Sequence, residues 1–135
     1  CALPISPVRF PKHLIIFPFI FGVAIPIVIT DICVEIYHRI SFPLCKIPYI
    51  KRSSYIKIDR HKLSYLTFLQ KIYCAYCGYV NGVMAYWVKI ASETEKYWCG
   101  IQHKNNDSFI APKHHANFTE YGNEENCKLK YGLNR

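Results

Sequence analysis

The chain has 135 residues, 51% of them hydrophobic, with 17 Lys and Arg against nine Asp and Glu for a net charge of +8. That length leaves room for one membrane segment and a soluble domain of about 75 residues, near the lower limit for unaided folding. The charge suits an anionic membrane surface or nucleic acid, but the basic residues follow the apolar segment rather than a recognition helix, and the abundance of Lys, Asn, Ile and Tyr matches AT-rich coding. Nucleic acid is therefore set aside as a partner.

Residues 1–13 precede the apolar segment, and the opening string CALPIS matches the translated end of a short-read sequencing adapter. Residues 1–6 are read as foreign to the protein, which removes Cys1 from the cysteine count. From Leu14 to Ile29 every residue is apolar, Gly or Pro, and apolar character resumes beyond Asp31 as far as Ile36. Residues 14–36 supply the roughly 20 residues that a helix needs to cross a bilayer core. Pro18 and Pro26 predict a bend rather than a break, and no small-x-small cleavage site follows to suggest a signal peptide. Arg9 and Lys12 precede this segment and a larger basic group follows it, so the C-terminal part is expected on the cytoplasmic side. Asp31, Glu35 and Arg39 share one helix face and read as an interfacial ladder with Glu35 paired to Arg39, in preference to an ion path.

Residues 37–58 interleave aromatic residues with cations. They read as an interfacial segment with Phe42, Tyr49 and Tyr55 turned inward and Arg39, Lys46, Lys51, Arg52 and Lys57 on lipid phosphates, at about 1 kcal/mol each. Cys45 and Cys33 read as small apolar packing residues.

Residues 59–104 carry the chemistry. Asp59 is expected to cap a helix with Leu63, Leu66, Leu69 and Tyr73 on one face, Asn81-Gly82 to make a turn, and residues 83–96 to form a second amphipathic helix. The pair reads as a helical hairpin with Cys74-Ala-Tyr-Cys77 at its bend. Cys74 and Cys77 have the spacing of a zinc knuckle, and Cys99 and His103, at i and i+4 on a helix, could complete a Cys3His zinc set.

An intervening 14-residue helix of about 21 Å strains that closure. Two alternatives stay open: a split arrangement in which His61, or His114 and His115, partner Cys99 and His103, and no metal at all. Iron, with Cys127 as a fourth thiolate, is a minor alternative. A CxxC thiol-redox or electron-transfer role is the rival from another class, although the βαβ context of a thioredoxin is missing. No catalytic residue is assigned; Glu93 and Glu95 read as solvated acids, and a Cys99/His103 nucleophilic dyad has no further support. Residues 105–135 form a polar tail whose two Asn-x-Ser/Thr matches carry no weight in a cytoplasmic setting.

The strings DRHKLSYL, YCAYCGYVNGVMAY and TEKYWCGIQH, preceded by a proline-containing membrane helix, resemble an uncharacterised family of small bacterial inner-membrane proteins, over about Phe17 to Tyr121. The resemblance implies a bacterial source and an inner-membrane location, and transfers no activity. The expected fold is mostly α: one transmembrane helix, an interfacial segment and a small cytoplasmic helical-hairpin Cys/His domain. Its expected partners are the lipid bilayer and an unidentified protein, and its expected role is structural or in interaction.

Overall fold

The computed structural model describes residues 10–132; the adapter-like residues 1–6 lie outside them. The architecture is mostly helical, with three α-helices and no strand among the described residues. Contacts divide the chain into two compact units, Cys1–Lys89 and Ile90–Arg135.

In the first unit, α1 spans Phe10–Leu44 and runs unbroken through Pro18, Pro26 and Pro43. Its Ile15–Leu44 stretch has a mean hydropathy of 2.3 and is long and apolar enough to cross a membrane. Only 11% of that apolar window is buried by the rest of the chain, whereas the core helix of a soluble domain would be largely covered. α1 ends in a Schellman-type cap, in which Ile47 N–H donates to Phe42 C=O at 2.9 Å and Lys46 N–H to Pro43 C=O at 3.2 Å. Lys46 takes the left-handed conformation this cap needs, with φ 55°.

After the cap the chain returns along α1 through two 3-10 turns, Arg52–Ser54 and Arg60–Lys62, to the start of α2, Phe68–Trp98. Residues 17, 31 and 38 of α1 face residues 73, 79 and 86 of α2 in ascending order, so the two helices run in the same direction. The extended link lies against α2 at Gly78 and Gly82. A Cβ on Gly82 would come within 2.8 Å of Ile56 Cα and of the Tyr55 carbonyl oxygen, and one on Gly78 within 3.1 Å of the Lys57 carbonyl oxygen.

This packing corrects the expected hairpin. Asn81-Gly82 is a close-approach site inside one continuous helix, and Asn81 Nδ2 donates to Cys77 C=O at 2.8 Å in support of it. The start of the helix also moves. Asp59 makes no side-chain cap. Thr67 and Gln70 form a reciprocal capping box instead, with Thr67 N–H donating to Gln70 Oε1 at 2.9 Å and Gln70 N–H facing Thr67 Oγ1 at 3.5 Å.

The second unit contains the last turns of α2, a parallel bridge between Ile101 and Thr119, a 3-10 turn at Lys113–Asn117, and α3, Glu124–Tyr131. Asn123 caps α3 by accepting from Asn126 N–H at 3.0 Å, and Gly132 ends it with φ 64°. The polar tail is thus partly ordered: Tyr131 Oη donates to Gly100 C=O at 3.0 Å. The second unit's buried residues, among those described, are Ile90, Ser92, Gly100, His115, Phe118 and Thr119.

Candidate metal centre and a buried polar cluster

Two arrangements of polar side chains stand out, one in each unit. In the first unit Asp31, 5% exposed, accepts from four groups. Arg52 donates from Nη1 to Oδ1 at 2.7 Å and from Nη2 to Oδ2 at 2.5 Å, while Tyr79 Oη donates to Oδ2 at 2.7 Å and Trp87 Nε1 to Oδ1 at 3.3 Å. Glu35 pairs with Arg39 at 2.7 Å, as the i, i+4 spacing predicts. Arg52 therefore turns inward to a carboxylate instead of outward to lipid phosphate, because a buried Asp left without a cation would carry a large desolvation cost. Lys46, Lys51 and Lys57 are exposed. Phe42 is fully buried against His38, with ring centroids 4.4 Å apart, so it too faces protein and not lipid.

His38 is also fully buried. Its Nε2 accepts the Ile50 N–H at 3.2 Å and so carries no proton. The ring proton then sits on Nδ1 and is donated to Tyr86 Oη at 2.9 Å, and Tyr86 Oη donates in turn to Glu35 Oε2 at 3.0 Å. Arg52 keeps its proton more firmly than a free guanidinium because of the hydrogen bonds to Asp31.

In the second unit Glu95, His103 and His115 each present one ligand atom, and these atoms lie within 4.8 Å of one another. Backbone order places them. Cys99 N–H still donates to Glu95 C=O at 2.7 Å, so Glu95 belongs to the final helical turn. The chain then leaves α2 and is gripped by Thr119, whose N–H donates to Gly100 C=O at 2.7 Å and whose C=O accepts from Gln102 N–H at 2.8 Å. Gln102 Nε2 donates to the carbonyls of His115 and Phe118 at 3.0 and 3.2 Å, which fixes the Lys113–Asn117 turn beside His103.

Glu95 Oε1 accepts from His115 Nε2 at 3.0 Å and Oε2 from His114 Nε2 at 2.6 Å. The bond from His114 holds the Glu95 carboxyl below the ordinary carboxylate range; burial opposes this and the bond from His115 adds to it. The group is thus an ionised carboxylate with two imidazoles. His115 is 4% exposed, stacks on Phe118 at 4.9 Å, and leaves its Nδ1 buried without a hydrogen-bond partner. Such an orphaned ring nitrogen is costly, and it lies across the ring from Nε2, the nitrogen that faces Glu95. A tetrahedral ion with Zn–N and Zn–O near 2.0–2.1 Å wants ligand atoms about 3.3 Å apart, so closing the widest pair takes side-chain movement of about 1.5 Å.

This donor set differs from Cys74, Cys77, Cys99 and His103, of which it contains only His103. Cys74 and Cys77 lie within α2 and Cys99 directly follows it. With 22 residues at 1.5 Å rise, the sulfurs of Cys77 and Cys99 belong to positions about 33 Å apart along the helix, too far for one ion. At i and i+3 of a helix, Cβ atoms sit about 5–6 Å apart against the 3.5–4.5 Å of a disulfide, so joining Cys74 and Cys77 would take a local adjustment of α2. The split expectation put His61, or His114 and His115, with Cys99 and His103; the His115 ring lies 5.4 Å from that of His103, and Cys99 is not part of the group. Glu95, expected as a solvated acid, belongs to the group instead; its signal is its place one turn before Cys99, at the end of α2. No protein-family model, curated protein or solved structure matches the chain.

Proposed function

We propose that the protein is a membrane-anchored metal-binding protein, in which α1 lies in the bilayer and Glu95, His103 and His115 hold a zinc ion. The observation that carries this reading is the convergence of the Glu95 carboxylate with the His103 and His115 rings, whose ligand atoms lie within 4.8 Å of one another with His115 buried. A His2Glu set suits zinc; two histidines and one carboxylate also suit ferrous iron, which is the minor alternative. His114 would act on the ligand carboxylate rather than on the ion, orienting Glu95 as outer hydrogen bonds commonly do.

The basic residues after α1 favour a cytoplasmic second unit, in an inner membrane if the source is bacterial as the family resemblance implies. With Arg52 engaged by Asp31, the exposed Lys46 and Lys51, close to the end of α1, carry this orientation. The role in view is structural or in interaction: a small unit with few buried apolar residues gains stability from an ion that ties α2 to the segment bearing His103 and His115.

The test is metal analysis of detergent-purified full-length protein. Near-stoichiometric zinc is expected, lost in Glu95→Gln and in His115→Ala, and kept in the double variant Cys74→Ser/Cys77→Ser. Folded protein without metal would overturn the reading, as would zinc that leaves with the two cysteines. Resistance of the membrane fraction to alkaline carbonate extraction checks the anchor.

A further inference from the structure

Resting on the metal centre proposed above, we infer that the ion keeps one coordination position open to a neighbouring cleft, and that this position takes the oxyanion of a small organic acid with a short apolar body. Three protein ligands leave a zinc ion incomplete, and the fourth position of such sites is filled by water or an incoming ligand. The cleft, of about 330 Å3, is lined by two of the three ligands, His103 and His115, so a ligand within it reaches the ion directly.

The chemistry of the walls selects the occupant. Phe109, Ala111, Pro112 and Ala116 give an apolar surface, Asn105 and Lys113 are the polar members apart from Gln102 and the two histidines, and no Asp or Glu lines the cleft. Gln102 spends its amide on two backbone carbonyls, which leaves Asn105 and Lys113 to face an occupant. A divalent ion held by one carboxylate and two neutral imidazoles keeps a net positive charge, and Lys113 adds another. An anion is favoured over a cation or a neutral molecule.

The volume sits at the small end of ligand pockets, which suits a body of about one ring. Phe109 packs edge-on against His103, with centroids 5.6 Å apart, and so places an aromatic wall beside a ligand of the ion. Carboxylate and phosphate groups share the oxyanion chemistry; the apolar wall favours the organic carboxylate.

The competing arrangement has His114 swinging from Glu95 onto the ion and closing the site with four protein ligands. The two are distinguished on full-length protein in detergent, loaded with Co2+ in place of zinc, by visible absorption during titration with benzoate, acetate and inorganic phosphate. Benzoate is expected to change the spectrum saturably, about tenfold more tightly than acetate, because its ring leaves water against Phe109 and Pro112. Lys113→Ala should keep its cobalt and weaken benzoate by about threefold to fivefold, the range for a partly solvated charge pair. His114→Ala should leave the benzoate-induced change in place.

Cobalt-loaded protein whose spectrum ignores all three anions sinks the open-cleft inference and leaves the metal centre standing. A response to phosphate and not to benzoate overturns the organic-acid assignment. A chain that takes up no cobalt removes the centre itself, and the inference with it.

Discussion

Arg52 grips both carboxylate oxygens of Asp31 across 21 positions of sequence, at 2.7 and 2.5 Å, and so pins the extended link to α1. The same carboxylate takes the phenol of Tyr79 and the indole of Trp87, so one buried acid gathers α1, the link and α2.

Replacing Arg52 by Ala leaves that acid without its cation and should lower stability by about 3 kcal/mol, the low end for a broken buried pair because Arg52 is partly solvated. Arg52→Lys keeps the charge and loses the two-pronged geometry, so it should fall between wild type and Ala. Denaturant titration in detergent, followed by Trp fluorescence, reads both effects, and an unchanged midpoint in Arg52→Ala would remove Asp31 as the organising residue.

Gly82 and Gly22 make a paired test of close approach. Gly82→Ala drives a methyl group into the backbone of Tyr55 and Ile56, whereas Gly22→Ala meets nothing within 4 Å. The first should destabilise by about 1–3 kcal/mol through overpacking, and the second should be neutral or stabilising by up to about 1 kcal/mol from helix propensity. Equal effects at the two sites would mean that the link does not rest on α2.

Lys46 holds a left-handed backbone without being glycine. Lys46→Gly should stabilise the end of α1 by about 1 kcal/mol, visible as a higher thermal midpoint. A lower midpoint would show that the lysine side chain matters more than the backbone strain.

Tyr79 and Tyr86 hold their phenolic protons above the ordinary value of 10.0, first because burial disfavours the phenolate and then because each donates to a carboxylate. The folded state therefore binds these protons more tightly than the unfolded chain. Their stabilising contribution is complete below pH 10 and falls as pH rises from there through the folded-state values. Ultraviolet titration of tyrosinate should show two late-titrating phenols that are absent from Tyr79→Phe/Tyr86→Phe, and the part of the stability that these two groups supply should be lost in the alkaline range.

The helical class, the long apolar span and the Glu35–Arg39 pair were legible because each follows from local composition or i, i+4 spacing. The continuity of α2 was not, since Asn81-Gly82 has the same letters whether it turns the chain or lets another backbone approach; only the position of Tyr55 and Ile56 decides. Thr67-Phe-Leu-Gln70 was a readable capping box, but Asp59 offered a competing start eight residues earlier. The metal group was half legible. Its imidazoles were candidates, while Glu95 looked like any acid on a solvated helix end until the Ile101–Thr119 bridge placed His103 and His115 over it.

The shared direction of α1 and α2 has a kinetic consequence. Contacts such as Tyr76 to Ile20 and Trp87 to Asp31 each close loops of 56 residues, with no tight turn to zip them from one end. On a ribosome, α1 emerges long before its mate is synthesised, so its inner face must wait for partners while its outer face can already enter lipid. Assembly of the first unit should be limited by this long-range docking, and not by formation of either helix.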